Sequence, residues 1–312
     1  MNDNLHFEQV DLVVIDPSRT MSNTLANVLR DQGFSKITLG ATLADINTKM
    51  EIGVPDLLIS DDNLPDGNLC ELVQKVRHHA IGHNPFVSII ATTWNPTPES
   101  VRRIVQTGVD DLVIKPLSAT ALLKRITEQV LHRKPFVVTS AYIGPDRRGD
   151  EDRPTGIELL EVPNTLKEKS STIRPIDADN LQSEIDAYLK IVNIQKLDRH
   201  ADQVQMLVQR IISEMANGED LGATNILLER LLFVAEDTAR RMGNTPYAHV
   251  SELCDSLIEV TGNIIGNPGA SSTKDVRLLI PLALAIRKGF NESSDEVAQM
   301  VREISTSISA HH

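Results

Sequence analysis

Two rhythms of apolar and polar positions divide the chain. Between residues 9 and 132, short apolar runs alternate with stretches in which apolar residues recur every three or four positions. The runs are Leu12–Ile15, Ile37–Leu39, Asp56–Ser60, Val87–Thr92 and Asp111–Ile114. Runs this short and this apolar suit strands buried on both faces of a parallel sheet. One intervening stretch goes from Ser18 to about Asp31, with Met21, Leu25, Val28 and Leu29 on one side and Ser18 placed to cap it. Five strands alternating with five helices predict a doubly wound α/β domain over 1–133. Such domains bind ligands beyond the carboxyl ends of their strands.

From 134 to 175 the pattern breaks. Pro135, Pro145, Pro154, Pro163 and Pro175 interrupt it, and DRRGDEDR is densely charged with mixed sign. A semi-extended linker is expected, with Ile157–Leu160 apolar enough to dock on a neighbour. Within it, Gly-Pro-Asp-Arg-Arg (144–148) has two readings. Arg147 and Arg148 grip a carboxylate, or the motif is a turn followed by a solvated charge run.

Residues 176–312 carry only helical stripes. They are Leu181–Val192, Val204–Met215, Ile226–Val234, Val250–Ile265, Val276–Ile286 and Val297–Ile308. Glycine and proline at 218–222, 243–246, 266–269 and 289 supply stops. About six helices predict an all-α bundle with its own core, kinked or restarted at Pro281. A spare apolar stripe would suit a homodimer.

Composition narrows the class. The chain has 312 residues, 41% of them hydrophobic and 24% charged, which are globular proportions. No apolar run approaches the roughly 18–20 residues that cross a bilayer. The acidic start, MNDNLHFEQVD, has no apolar signal core, so a cytoplasmic location without membrane insertion is expected. Cys70 and Cys254 suit a reducing compartment and read as small hydrophobes. Aromatic residues, at 3%, are too few for single-strand stacking platforms. The net charge is −12, and residues 176–312 carry 12 basic against 20 acidic residues. That region would repel nucleic-acid phosphates, so no DNA partner is expected.

Chemistry gathers at the predicted strand ends. Asp16 ends the first strand, Asp61 the third, Thr92 the fourth and Lys115 the fifth, where Pro116 follows. Parallel strands would bring these four into one shallow cleft. A carboxylate can accept a phosphoryl group as an acyl phosphate. One or two carboxylates can hold Mg²⁺. An ammonium and a hydroxyl can share the charge on the transferring oxygens.

Four segments then resemble a response-regulator receiver domain of bacterial two-component signalling. They are VVIDPSRTM (13–21), PDLLISDDNLPDG (55–67), IIATT (89–93) and GVDDLVIKP (108–116). The resemblance implies a flavodoxin-like five-stranded sheet and phosphoryl transfer onto Asp61 from a histidine kinase or phosphotransfer protein. It implies Mg²⁺ held by Asp16, Asp61 and the backbone carbonyl of Asn63. Thr92 and Lys115 would stabilise the phosphate. Two positions depart from the family. Pro17 stands where a second acidic residue is usual, which implies weak Mg²⁺ binding, and Leu112 stands where an aromatic is usual. Asp62 is an extra carboxylate, but strand alternation points it elsewhere. The domain is therefore either a phosphoprotein or a degenerate, phosphate-independent adaptor. Its contact surface is expected at about Pro98–Lys115.

Other residues carry weaker readings. His78, His79 and His83 suit a solvated loop better than a metal site. His200 and His249 lack a phosphotransfer context, and His311 and His312 are terminal. Glu229, Asp237 and Glu252–Asp255 would be the acidic groups of a phosphatase or phosphotransferase bundle. Arg240 and Arg241 are the best candidates for a DNA-reading helix, with few basic neighbours. Protein–protein output from the bundle is the favoured reading.

Overall fold

The structure is a computed structural model that describes residues 5–148, 158–217, 221–242, 245, 247–266 and 273–292. The chain divides into two compact units, 1–188 and 189–312.

The first unit opens with β1 (Asp11–Ile15), α1 (Arg19–Arg30), β2 (Lys36–Gly40), α2 (Leu43–Ile52) and β3 (Leu57–Asp61). A two-residue hairpin follows, β4 (Asn63–Leu64) and β5 (Gly67–Asn68). Then come α3 (Leu69–Arg77), β6 (Ser88–Thr93), α4 (Pro98–Val105), β7 (Asp111–Ile114) and α5 (Ala119–Leu131). The five long strands form a parallel sheet in the order β2-β1-β3-β6-β7. Strand alternation splits the apolar runs between two cores. Leu12, Val14, Leu57, Ile59 and Ile90 face Leu25, Leu29, Leu122 and Ile126 of α1 and α5. Val13, Ile15, Leu58, Ile89 and Ala91 face Ile46, Val73, Val76 and Ile104 of α2, α3 and α4. Each helix starts on a side-chain cap: Ser18, Thr42, Asn68, Thr97 and Ser118 all accept a first-turn amide.

The described parts of the segment expected to be a linker, 134–148 and 158–175, are built into this unit. β8 (Phe136–Val138), β9 (Ile143–Pro145) and β10 (Leu159–Leu160) make an antiparallel sheet in the order β10-β8-β9, and α6 (Thr165–Ser170) follows. Phe136 meets Phe86 edge to face, with the guanidinium groups of Arg77 and Arg133 5.2 and 5.0 Å from its ring centre. Leu166 enters the core shared by α1 and α5. Lys169 Nζ donates to Asp56 Oδ2 at 2.8 Å. Prolines and charges dominate the composition here, but a few apolar residues in strand register decide the structure. Ile157 lies outside the described residues.

The helices continue with α7 (Ala178–Asn217), α8 (Leu221–Arg241), a 3-10 turn at Ala248–Val250, α9 (Ser251–Gly266) and α10 (Thr273–Glu292). The first two expected helices are one, because nothing between 178 and 217 is glycine or proline. The α10 helix runs through Pro281 without a break in its assigned length. The core of the second unit holds Leu197, Val204, Ile211, Leu231, Val234, Leu257, Leu279 and Ile286, among others. The stripe Val297–Ile308 lies outside the described residues.

Candidate functional site

The carboxyl ends of β1, β3 and β7 bring three of the expected residues into contact. Ile15 is level with Ser60 in the β1–β3 register, so Asp16 and Asp61 leave the sheet side by side. The Lys115 amide donates to the Thr93 carbonyl at 2.8 Å, which fixes where the lysine leaves β7. Its Nζ donates to Asp16 Oδ2 at 2.5 Å and also to Asp61 Oδ2. The Lys115 side chain is fully buried, and the two carboxylates are 5% and 7% exposed. The other oxygen of each carboxylate is held locally. Asp16 Oδ1 accepts from the Ser18 amide at 2.8 Å, and Asp61 Oδ1 from the Asn63 amide at 2.9 Å. Short acidic side chains at strand ends bond amides two residues on, so Asp-Pro-Ser and Asp-Asp-Asn are turns as well as carboxylate mounts.

Above this pair lies a cleft of about 460 Å³ lined by Asp16, Asp61, Asp62, Asn63, Thr93 and Arg103, among others. Thr92 is level with Asp61 in the β3–β6 register and is 2% exposed. Its neighbour Thr93 lines the cleft, as does Ser18. Asp62 corrects an expectation: β3 ends at Asp61, strand alternation ends with it, and Asp62 joins the cleft. Burial pushes the Asp62 carboxyl up, a hydrogen bond from Thr93 opposes that, and the Asp61 charge adds to it. Pro17 also lines the cleft and brings no side-chain donor atom. Leu112 packs against the core shared by α2, α3 and α4.

Four cleft residues escaped the sequence reading: Asn68, Trp94, Asn95 and Arg103. Trp94 and Asn95 directly follow the threonine pair, and position alone could have flagged them. Arg103 sits on an amphipathic helix, where an arginine ordinarily marks the solvated face.

The weaker candidates resolve unevenly. His83 Nε2 lies 3.0 Å from the Glu51 carbonyl. Among the described residues, no group of three or more His, Cys, Asp or Glu side chains is placed to hold a metal ion. His200 is fully buried, its Nδ1 3.0 Å from Thr238 Oγ1, so it is not an exposed phosphotransfer histidine. The His249 side chain and His311 and His312 lie outside the described residues. Arg240 and Arg241 both bind the Asp237 carboxylate. Among the described residues Arg147 grips no carboxylate; its Nη2 donates to the backbone carbonyls of Val109 and Asp110, the latter at 3.0 Å. Among the described residues, no helix is long and apolar enough to cross a membrane.

Residues 12–127 match the response regulator receiver domain. The transcriptional regulatory protein DpiA of Escherichia coli K12 is 30% identical over 166 residues, covering 48% of this chain and 70% of that protein. The chain belongs to the response-regulator family. Its receiver also overlaps solved structures. A CheY-like receiver from Methanospirillum hungatei JF-1 is 22% identical and covers 38% of this chain and 92% of that one, with a TM-score of 0.35. CheY4 of Vibrio cholerae is 23% identical and covers 38% of this chain and 97% of that one, with a TM-score of 0.35. Receiver domains as a family work with histidine kinases and phosphotransfer proteins, and generally bind Mg²⁺ where they are phosphorylated.

The receiver's donor set can be tested against that ion. Asp16 and Asp61 offer one oxygen each to a single cation, at present the Lys115 ammonium. Two hard oxygens around one positive charge fit a divalent ion that keeps several waters. With Pro17 beside them, the protein supplies fewer oxygens than a second carboxylate would allow.

Proposed function

We propose that this response regulator accepts a phosphoryl group on Asp61 from a histidine kinase or phosphotransfer protein and signals through protein–protein contacts of its helical unit. The observation that supports this most is the Lys115 ammonium held by both Asp16 and Asp61 at the rim of the sheet. In the transfer, an Asp61 carboxylate oxygen bonds to phosphorus as the phosphorus–nitrogen bond to the donor imidazole breaks. The chain's part is placement and neutralisation. Lys115 pairs with the incoming oxygens, and the threonine hydroxyls at the end of β6, Thr92 or Thr93, would donate to them. Asp16, Asp61 and the Asn63 carbonyl would hold Mg²⁺, which when bound supplies further neutralising charge. A cytoplasmic location fits this role.

Pro17 favours a second reading, a receiver that signals without phosphate. Incubation with acetyl phosphate and Mg²⁺, followed by mass spectrometry, separates the two. The expected outcome is an acid-labile phosphoryl adduct on Asp61 that Asp61→Asn abolishes. No adduct at any Mg²⁺ concentration, from acetyl phosphate or a cognate kinase, leaves the phosphate-independent adaptor.

A further inference from the structure

The cleft over Asp61 holds a cation that the proposed chemistry has not used. Arg103, on α4, lines the cleft with Asp61, Asp62, Thr93 and Trp94, and is exposed. Among the described residues it makes no hydrogen bond or ion pair, yet its charge is felt at the Asp62 carboxylate. Pro17 lines the same cleft and brings no carboxylate to it. The two features act in one direction. A missing carboxylate weakens attraction for a divalent ion, and a guanidinium at the rim repels that ion while attracting phosphoryl oxygens.

We propose that Arg103 is a phosphate-binding residue of this receiver, a second protein cation beside Lys115 for the phosphoryl group carried by Asp61. The inference rests on Asp61 being the phosphoacceptor. Its geometry suits a late contact: Lys115 is buried beneath the carboxylates, whereas Arg103 is on the exposed wall and can meet only what projects into the cleft. A planar guanidinium can bond two phosphoryl oxygens at once. Lysine at 103 would keep the charge and lose the fork.

The sole tryptophan provides a local reporter. Trp94 lines the cleft, is 60% exposed, and has Lys115 Nζ 5.8 Å from its ring centre. The full chain is titrated with beryllofluoride in excess Mg²⁺, following Trp94 fluorescence, while ¹⁹F NMR detects bound fluoride directly. The parent is expected to show bound beryllofluoride, and Asp61→Asn none. Arg103→Ala should weaken binding about tenfold, as the loss of one charge-assisted contact would. Arg103→Lys should recover most of that loss. Arg103→Ala binding within about twofold of the parent overturns the inference and leaves Asp61 as the acceptor. A parent with no bound fluoride signal, or Asp61→Asn binding as well as the parent, overturns the acceptor assignment and this inference with it.

Discussion

Lys196 lies on α7 with its side chain fully buried, 4.0 Å from Asp237 Oδ2, and Arg241 Nε bonds the same oxygen at 3.0 Å. Burial and the Arg241 charge drive its pKa down to about 7, against the pull of Asp237. Unfolding returns it to the ordinary lysine value of 10.5. Between those two values the unfolded chain binds the extra proton. Stability therefore rises as pH climbs through that window, and falls as pH drops toward 7. The expected slope is up to about 1.4 kcal/mol per pH unit between roughly pH 7 and 10. Urea unfolding of the full chain followed by circular dichroism measures it, and Lys196→Met should flatten the curve. An equal slope in both proteins means Lys196 is not neutral when folded. Single residues also show where sequence reading stops. Asp16, Asp61 and Lys115 were legible only as a set, because parallel strands bring their carboxyl ends to one rim. Arg77 was not, since an arginine in the last turn of an amphipathic helix ordinarily faces solvent. Here it is buried and bonds the carbonyls of Pro85, Val87 and Gly108 and the carboxylate of Asp110. Only the folded chain reveals that those three carbonyls converge.

Elements were legible where periodicity was strong. All five strands of the parallel sheet lie within a residue or two of the apolar runs; in β1, β3 and β6, buried on both faces, few polar positions blur the signal. The segment after α5 misled for the opposite reason: its order comes from a few isolated apolar anchors. Leu166 on α6 is fully buried in the core of the first unit, while its neighbour Lys167 is exposed. Leu166→Ala should therefore destabilise the first unit by about 2–5 kcal/mol, the cost of a core leucine and the cavity it leaves. Lys167→Ala should stay within about 0.5 kcal/mol. Trp94 belongs to the same unit, so the urea midpoint of its fluorescence compares the variants. A Leu166→Ala midpoint equal to that of Lys167→Ala would return this stretch to the status of a loose tether. The boundary between α7's two expected helices was illegible in the same way. Two apolar stripes separated by charged residues look like two helices until one asks what would stop the first, and nothing in that sequence does.

At the scale of the whole molecule the question is what the helical unit delivers. The relative from Escherichia coli is by name a transcriptional regulator, which makes DNA the natural alternative output. Charge argues against carrying that property across. Residues 176–312 hold 12 basic and 20 acidic residues, and residues 1–133 hold 12 and 16. Arg240 and Arg241, the strongest basic pair in the helical region, are both engaged by Asp237, and Arg241 is 4% exposed. A DNA-reading helix needs unengaged cations on one exposed face, because affinity for a duplex comes largely from neutralised phosphates. The full chain, treated with beryllofluoride or not, is therefore expected to leave the anisotropy of a labelled random-sequence duplex unchanged from low to moderate salt. DNA binding would show itself as a measurable association constant whose logarithm falls linearly with that of the salt concentration, by about 0.9 per phosphate contacted. A slope equivalent to several contacts would assign the helical unit to nucleic acid. A flat response leaves protein surfaces as the output, and the beryllofluoride-treated chain as the form with which to seek the partner.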